Sequence, residues 1–155
     1  SYSYWYYQKD GQLVQSAWIK DSGSWYFMDD KGVMFNKTWL YQGGSWYAFK
    51  SSGAMISADW LYDNGSWYYL KDSGSMATGW LKDGGTWYYL KDSGSMATGW
   101  IKDNGSWYYL KDSGAMATGW IKDNGKWYYL ASSGNMLSNT RTPDGYYVDA
   151  SGAWK

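Results

Sequence analysis

Six tryptophans, Trp18, Trp39, Trp60, Trp80, Trp100 and Trp120, recur every 20 or 21 residues, and each is followed seven residues later by a second: Trp25, Trp46, Trp67, Trp87, Trp107 and Trp127. Nine residues after each second tryptophan comes a methionine, at Met34, Met55, Met76, Met96, Met116 and Met136. Flat, electron-rich rings in pairs can stack on sugar rings or surround a cation. A quaternary ammonium has no N–H to donate, so a hydrogen-bonding carboxylate cannot orient it. Aromatic faces suit it better, at roughly 0.5–2 kcal/mol per contact. A site with so few walls is weak, and a repeated array of weak sites gains strength only against a polymeric ligand.

Other chemistry is poorly provided for. The 155 residues include no Cys and no His, and all 14 acidic residues are Asp. This excludes thiolate nucleophiles, imidazole bases and Cys- or His-ligated metals, and the expectation is of no metal and no cofactor. Asp10, Asp21, Asp63, Asp83, Asp103 and Asp123 fall at expected hairpin turns, where Asp serves the backbone, and no unique carboxylate pair stands out for hydrolysis. With 14 Lys+Arg against 14 Asp+Glu, no charge footprint points to nucleic acid or an anionic membrane. No apolar run is long enough to span a bilayer. Ser1-Tyr2-Ser3-Tyr4-Trp5 lacks the basic and apolar regions of a signal peptide, so any such segment was removed or never included.

The elements that position the tryptophans read as β-hairpins. Two short aromatic and aliphatic runs flank Asp-Asn-Gly, Asp-Ser-Gly or Asp-Gly-Gly, a hairpin signal. With a two-residue loop on Asp63-Asn64 or Asn64-Gly65, Trp60 and Trp67 share a face, directly opposed in the first case and diagonal in the second. Period two adds Tyr69 to that face and turns Leu61, Tyr68 and Leu70 to the other, which reads as the core. A lone tryptophan reads first as a core residue. Six pairs opposite an aliphatic face read instead as an apolar stripe that binds something. A unit of about 20 residues cannot bury its own apolar face, so the units must stack. The pattern expects one array over 1–155: a partial repeat 1–17, full repeats 18–38, 39–59, 60–79, 80–99, 100–119 and 120–139, and a degenerate cap 140–155.

The string Gly99–Thr118, Gly-Trp-Ile-Lys-Asp-Asn-Gly-Ser-Trp-Tyr-Tyr-Leu-Lys-Asp-Ser-Gly-Ala-Met-Ala-Thr, resembles the choline-binding repeat of cell-wall-attached surface proteins and murein hydrolases of streptococci and their phages. The likeness runs over residues 5–148. It implies an all-β solenoid, a left-handed superhelix of stacked hairpins. It also implies a non-catalytic module that binds choline on phosphocholine-decorated teichoic and lipoteichoic acids between repeats, outside the cell at the cell wall. The family's carboxy-terminal repeats often mediate dimers, so a homodimer through them falls within the same implication.

Carried over by position, the cages are Trp39/Trp46/Tyr69, Trp60/Trp67/Tyr89, Trp80/Trp87/Tyr109, Trp100/Trp107/Tyr129 and Trp120/Trp127/Tyr147. Met55, Met76, Met96, Met116 and Met136 flank them. The choice of the second Tyr in each Trp-Tyr-Tyr follows from the shared face, with Tyr68, Tyr88 and Tyr108 as the alternative if stacking turns them inward. Trp18 and Trp25 are expected to form the weakest or an empty cage, because the corresponding third wall is Ala48. Lys20, Lys82, Lys102 and Lys122 fall on the tryptophan face and could meet a phosphate. Related aromatic repeats bind glucans or oligosaccharides, which is the alternative reading.

Overall fold

The computed structural model describes residues 4–155; Ser1–Ser3, the start of the expected partial repeat, lie outside the described residues. Every element among them is a strand, and each strand pairs only within its own hairpin. The chain divides after Ala77 into two compact units. The first holds β1 (Gln8–Lys9) with β2 (Gln12–Leu13), β3 (Ala17–Asp21) with β4 (Ser24–Met28), β5 (Trp39–Gln42) with β6 (Ser45–Ala48), and β7 (Asp59–Asp63) with β8 (Ser66–Leu70). The second, from Thr78 on, holds β9 (Gly79–Asp83) with β10 (Thr86–Leu90) and β11 (Gly99–Asp103) with β12 (Ser106–Leu110). It continues with β13 (Gly119–Asp123) paired to β14 (Lys126–Leu130) and β15 (Thr140–Arg141) paired to β16 (Tyr147–Val148).

The turns fix the register. Asp63 pairs with Ser66 across Asn64-Gly65, whose φ values are 49° and 86°. Both central residues are left-handed, the type I′ geometry whose twist matches the strands. Of the two registers open to the sequence, the structure takes the diagonal one. Trp60 lies opposite Tyr69, and Trp67 opposite Tyr62. The same register holds in β9–β10, where Trp80 opposes Tyr89 and Lys82 opposes Trp87.

Beyond each hairpin a second turn brings the chain back. Leu90 forms an isolated bridge with Met96, as Leu70 does with Met76 and Leu110 with Met116. From β8 on, the last residue of each second strand is the innermost: Leu70, Leu90, Leu110, Leu130 and Val148 are fully buried. Burying a leucine contributes roughly 1.5–3 kcal/mol, so one such residue per repeat is the main apolar anchor of units this small.

Neighbouring hairpins are joined by backbone hydrogen bonds outside any ladder. In the first unit Met55 N donates to Trp25 O and Met76 N to Trp46 O, both at 2.8 Å. In the second, Met116 N donates to Trp87 O and Met136 N to Trp107 O, again at 2.8 Å. The methionine side chains then lie in notches that only glycine permits. A β-carbon at Gly74 would stand 2.3 Å from Met55 Sδ, and one at Gly114 2.3 Å from Met96 Sδ.

Candidate functional site

Four of the tryptophan pairs stand edge to face. The ring centroids are 6.4 Å apart at 88° for Trp18 and Trp25, and 6.5 Å apart at 87° for Trp80 and Trp87. Trp39/Trp46 and Trp100/Trp107 repeat this at 6.5 Å and 85°. The first tryptophan of each pair is half-buried. The second is more open, from 40% exposed at Trp87 to 43% at Trp46. Two perpendicular indoles with one exposed face make two walls of a cage.

The third wall is the first tyrosine of the following hairpin. Trp18 meets Tyr47 at 5.0 Å and Trp39 meets Tyr68 at 5.2 Å. In the second unit Trp80 meets Tyr108 at 4.9 Å, Trp100 meets Tyr128 at 5.1 Å and Trp120 meets Tyr146 at 5.9 Å. The expected second tyrosines do something else. Tyr69 packs on Trp60 of its own hairpin at 5.1 Å, and Tyr89, Tyr109 and Tyr129 pack likewise on Trp80, Trp100 and Trp120 at 5.0, 5.1 and 5.2 Å. Tyr147 pairs with Arg141 in β16 and is 41% exposed. The reason is stacking order. When hairpins pile up in one direction, the tryptophan face of one meets the opposite face of the next, so its third wall comes from the leucine face. A shared face within one hairpin selects the wrong tyrosine.

The same correction applies to the first full repeat. Ala48 is buried opposite Trp39 in its own hairpin and is no wall of the Trp18/Trp25 site. That site has three aromatic walls, Trp18, Trp25 and Tyr47, completed by Met55 and Ser73 around a cavity of about 220 Å³. The Trp100/Trp107 site has the same composition, with Tyr128, Met136 and Ser151 around about 340 Å³. In both, the methionine is the one whose backbone N–H reaches the second tryptophan's carbonyl, so the flanking thioether is delivered by main-chain geometry.

The aspartates have a role that their turn position does not announce. Asp63, Asp103 and Asp123 each close the first strand of a hairpin, where the carboxylate accepts the indole N–H of the preceding repeat's first tryptophan. Trp39 Nε1 donates to Asp63 at 3.0 Å, and Trp80 to Asp103 and Trp100 to Asp123 at 3.1 Å. Asp103 also takes a hydrogen bond from Tyr89; burial, followed by the charges of Asp103 and Asp92, raises the pKa of that phenol. The carboxylates thus hold the half-buried tryptophan at a fixed angle. The signal was present in the sequence as the constant offset of 23 or 24 residues from tryptophan to aspartate.

Lys20, Lys82, Lys102 and Lys122 lie over the second tryptophan of their own hairpins, with Nζ 5.7 to 5.9 Å from the ring centroid. In two hairpins a tyrosine takes that place: Tyr41 on Trp46 at 5.1 Å and Tyr62 on Trp67 at 5.0 Å. Among the described residues no group of three or more His, Cys, Asp or Glu could hold a metal, and no helix is long and apolar enough to cross a membrane.

Residues 62–98 and 97–140 match the choline-binding repeat, and residues 16–34 and 37–55 the putative cell wall binding repeat. Comparison with curated protein sequences gives no match. Among solved structures, choline binding protein F of Streptococcus pneumoniae is 46% identical with a TM-score of 0.82, over 94% of this chain and 49% of that one. CbpJ of the same species is 43% identical with a TM-score of 0.89, over 100% of this chain and 56% of its own. The choline-binding domain of CbpL, also from S. pneumoniae, is 40% identical with a TM-score of 0.80, over 99% of this chain and 82% of that one. The chain thus spans about half the length of the first two. Stacked all-β hairpins, the matched repeats and these likenesses agree: the chain belongs to the choline-binding repeat family of cell-wall-binding modules.

Proposed function

We propose that this chain binds choline carried on a cell-wall polymer, one trimethylammonium group per cage, and acts as a non-catalytic anchor. The observation that supports this best is the recurrence of one geometry: two perpendicular indoles, a tyrosine from the next hairpin and a thioether. Apolar walls meet the methyl groups and ring quadrupoles meet the charge. Each cage alone is weak, so retention comes from several cages engaging one polymer at once.

The polymer this suits is a teichoic or lipoteichoic acid bearing phosphocholine at the surface of a Gram-positive cell, which makes the anchor an extracellular one. In this reading the lysines over Trp25, Trp87, Trp107 and Trp127 contact the phosphate beside each choline; their Nζ atoms beside the exposed indoles support it. Any hydrolytic activity of a parent protein belongs to another part of it. A homodimer through the carboxy-terminal repeats is a further part of this reading, checked by sedimentation with and without choline.

The test is isothermal titration with choline chloride, together with retention on a tertiary-amine resin and elution by free choline. Weak saturable binding and elution are expected. Retention on immobilised dextran with no response to choline up to tens of millimolar would favour the glucan reading and overturn this one.

A further inference from the structure

The last cage is built differently from the others. Ser151-Gly152-Ala153-Trp154 follows Val148 as Ser133-Gly134-Asn135-Met136 follows Leu130. Trp154 N donates to Trp127 O at 2.9 Å, the bond that Met136 N makes to Trp107 O. The backbone therefore delivers an indole to the place where the other cages have a thioether. That indole meets Tyr146 edge to face at 6.0 Å and 85°, and Tyr146 in turn meets Trp120 at 83°. The cavity is lined by Trp120, Trp127, Asp144, Tyr146 and Trp154, with a volume of about 390 Å³.

The second difference is the carboxylate. The Trp100/Trp107 cavity is lined by rings, Met136 and Ser151, whereas Asp144 forms part of the wall here. Its Oδ2 accepts Trp120 Nε1 at 2.9 Å and its Oδ1 accepts the Thr142 hydroxyl. These two bonds, the one from Thr142 being the stronger influence, hold its pKa below the usual carboxylate value. Asp144 therefore offers a cation its negative charge from the cavity wall.

We infer that the cage formed by Trp120, Trp127, Tyr146 and Trp154, with Asp144 in its wall, is the tightest quaternary-ammonium site of the chain and fills before the three-walled cages. The inference rests on the choline reading above and adds a rank order to it. One extra aromatic wall corresponds to about twofold to thirtyfold in affinity, and the carboxylate adds an attraction that salt screens.

The experiment is a choline titration of the full chain labelled with 5-fluorotryptophan, followed by fluorine NMR. The Trp154 resonance, assigned by its loss in Trp154→Met, should move at choline concentrations at least about twofold below those that move Trp80 and Trp100. In Trp154→Met the Trp127 midpoint should rise to the range of the other cages, while Trp154→Phe, which keeps a ring, should leave it near the unaltered value. Asp144→Asn should raise the same midpoint at low salt and leave Trp80 and Trp100 alone. A Trp154 resonance that moves together with or after the others, or a Trp127 midpoint indifferent to Trp154→Met, overturns the rank order alone. A chain in which no indole responds to choline overturns the functional reading as well.

Discussion

Replacing Tyr108 with alanine separates the two tyrosines of a repeat. Tyr108 supplies the third wall to Trp80 at 4.9 Å, whereas Tyr109 packs on Trp100 within its own hairpin at 5.1 Å. Removing the Tyr108 ring takes one of three aromatic faces from the Trp80/Trp87 cage. At roughly 0.5–2 kcal/mol per face this weakens that cage by about twofold to thirtyfold. The ring pair with Trp80 contributes about 0.5–1.5 kcal/mol to packing, a loss the buried Leu90 and Leu110 should tolerate. Choline-soaked crystals report each cage separately. Tyr108→Ala should show Trp80/Trp87 empty or poorly filled and Trp100/Trp107 filled. Tyr109→Phe, which keeps the ring, should leave every cage as it was. Choline as well ordered at Trp80/Trp87 as at Trp100/Trp107 in Tyr108→Ala would refute the assignment of the third wall.

Other expectations follow from the same geometry. The Trp18/Trp25 site, walled by Tyr47 and Met55, should hold choline in such crystals, and Tyr47→Ala should empty it. Replacing Lys82, Lys102 and Lys122 together with glutamine should weaken binding of phosphocholine more than of choline by titration; equal losses count against a phosphate contact. Gly114→Ala puts a methyl against Met96 at a left-handed φ of 89° and should cost about 1–3 kcal/mol in thermal unfolding. Acid should loosen the last repeat first. Asp144 and Asp149 have lowered pKa values, through hydrogen bonds led by Thr142 and by Ser151 respectively. A depressed folded pKa stabilises fully above the ordinary carboxylate value of about 3.9 and is lost as pH falls through the folded value. The protection factors of Ala153 and Trp154, with the intrinsic pH dependence of amide exchange removed, should therefore fall below about pH 4, and protection that stays constant there excludes the role.

The hairpins, their turns and the tryptophan pairing were legible because they depend on local chemistry. Asp63-Asn64-Gly65 marks a tight hairpin turn, and in either register period two places Trp60 and Trp67 on one face. The third wall was misread because it depends on how one hairpin lies on the next, and strand periodicity carries no information about that. The same limit hid the grip of Asp63 on Trp39 and of Asp123 on Trp100, since an aspartate beside Asn-Gly already has a sufficient local explanation. Trp154 went unnoticed for a different reason. Its residue type departs from the methionine pattern, although the Ser-Gly two and three places before it keeps the register.

The glycine notches that seat Met55, Met116 and Met136 tie these repeats to the redox state of their surroundings. Met55, Met76, Met116 and Met136 are half-buried, so peroxide can reach them. Met55 Sδ lies so close to Gly74, and Met116 Sδ so close to Gly134, that a single β-carbon would stand 2.3 Å away. Conversion to the sulfoxide adds a polar oxygen to a side chain packed that tightly. The same atom that borders a cage also wedges one hairpin against the next, so mild oxidation should cost ligand retention and thermal stability together. Enzymatic reduction of the sulfoxides should restore both.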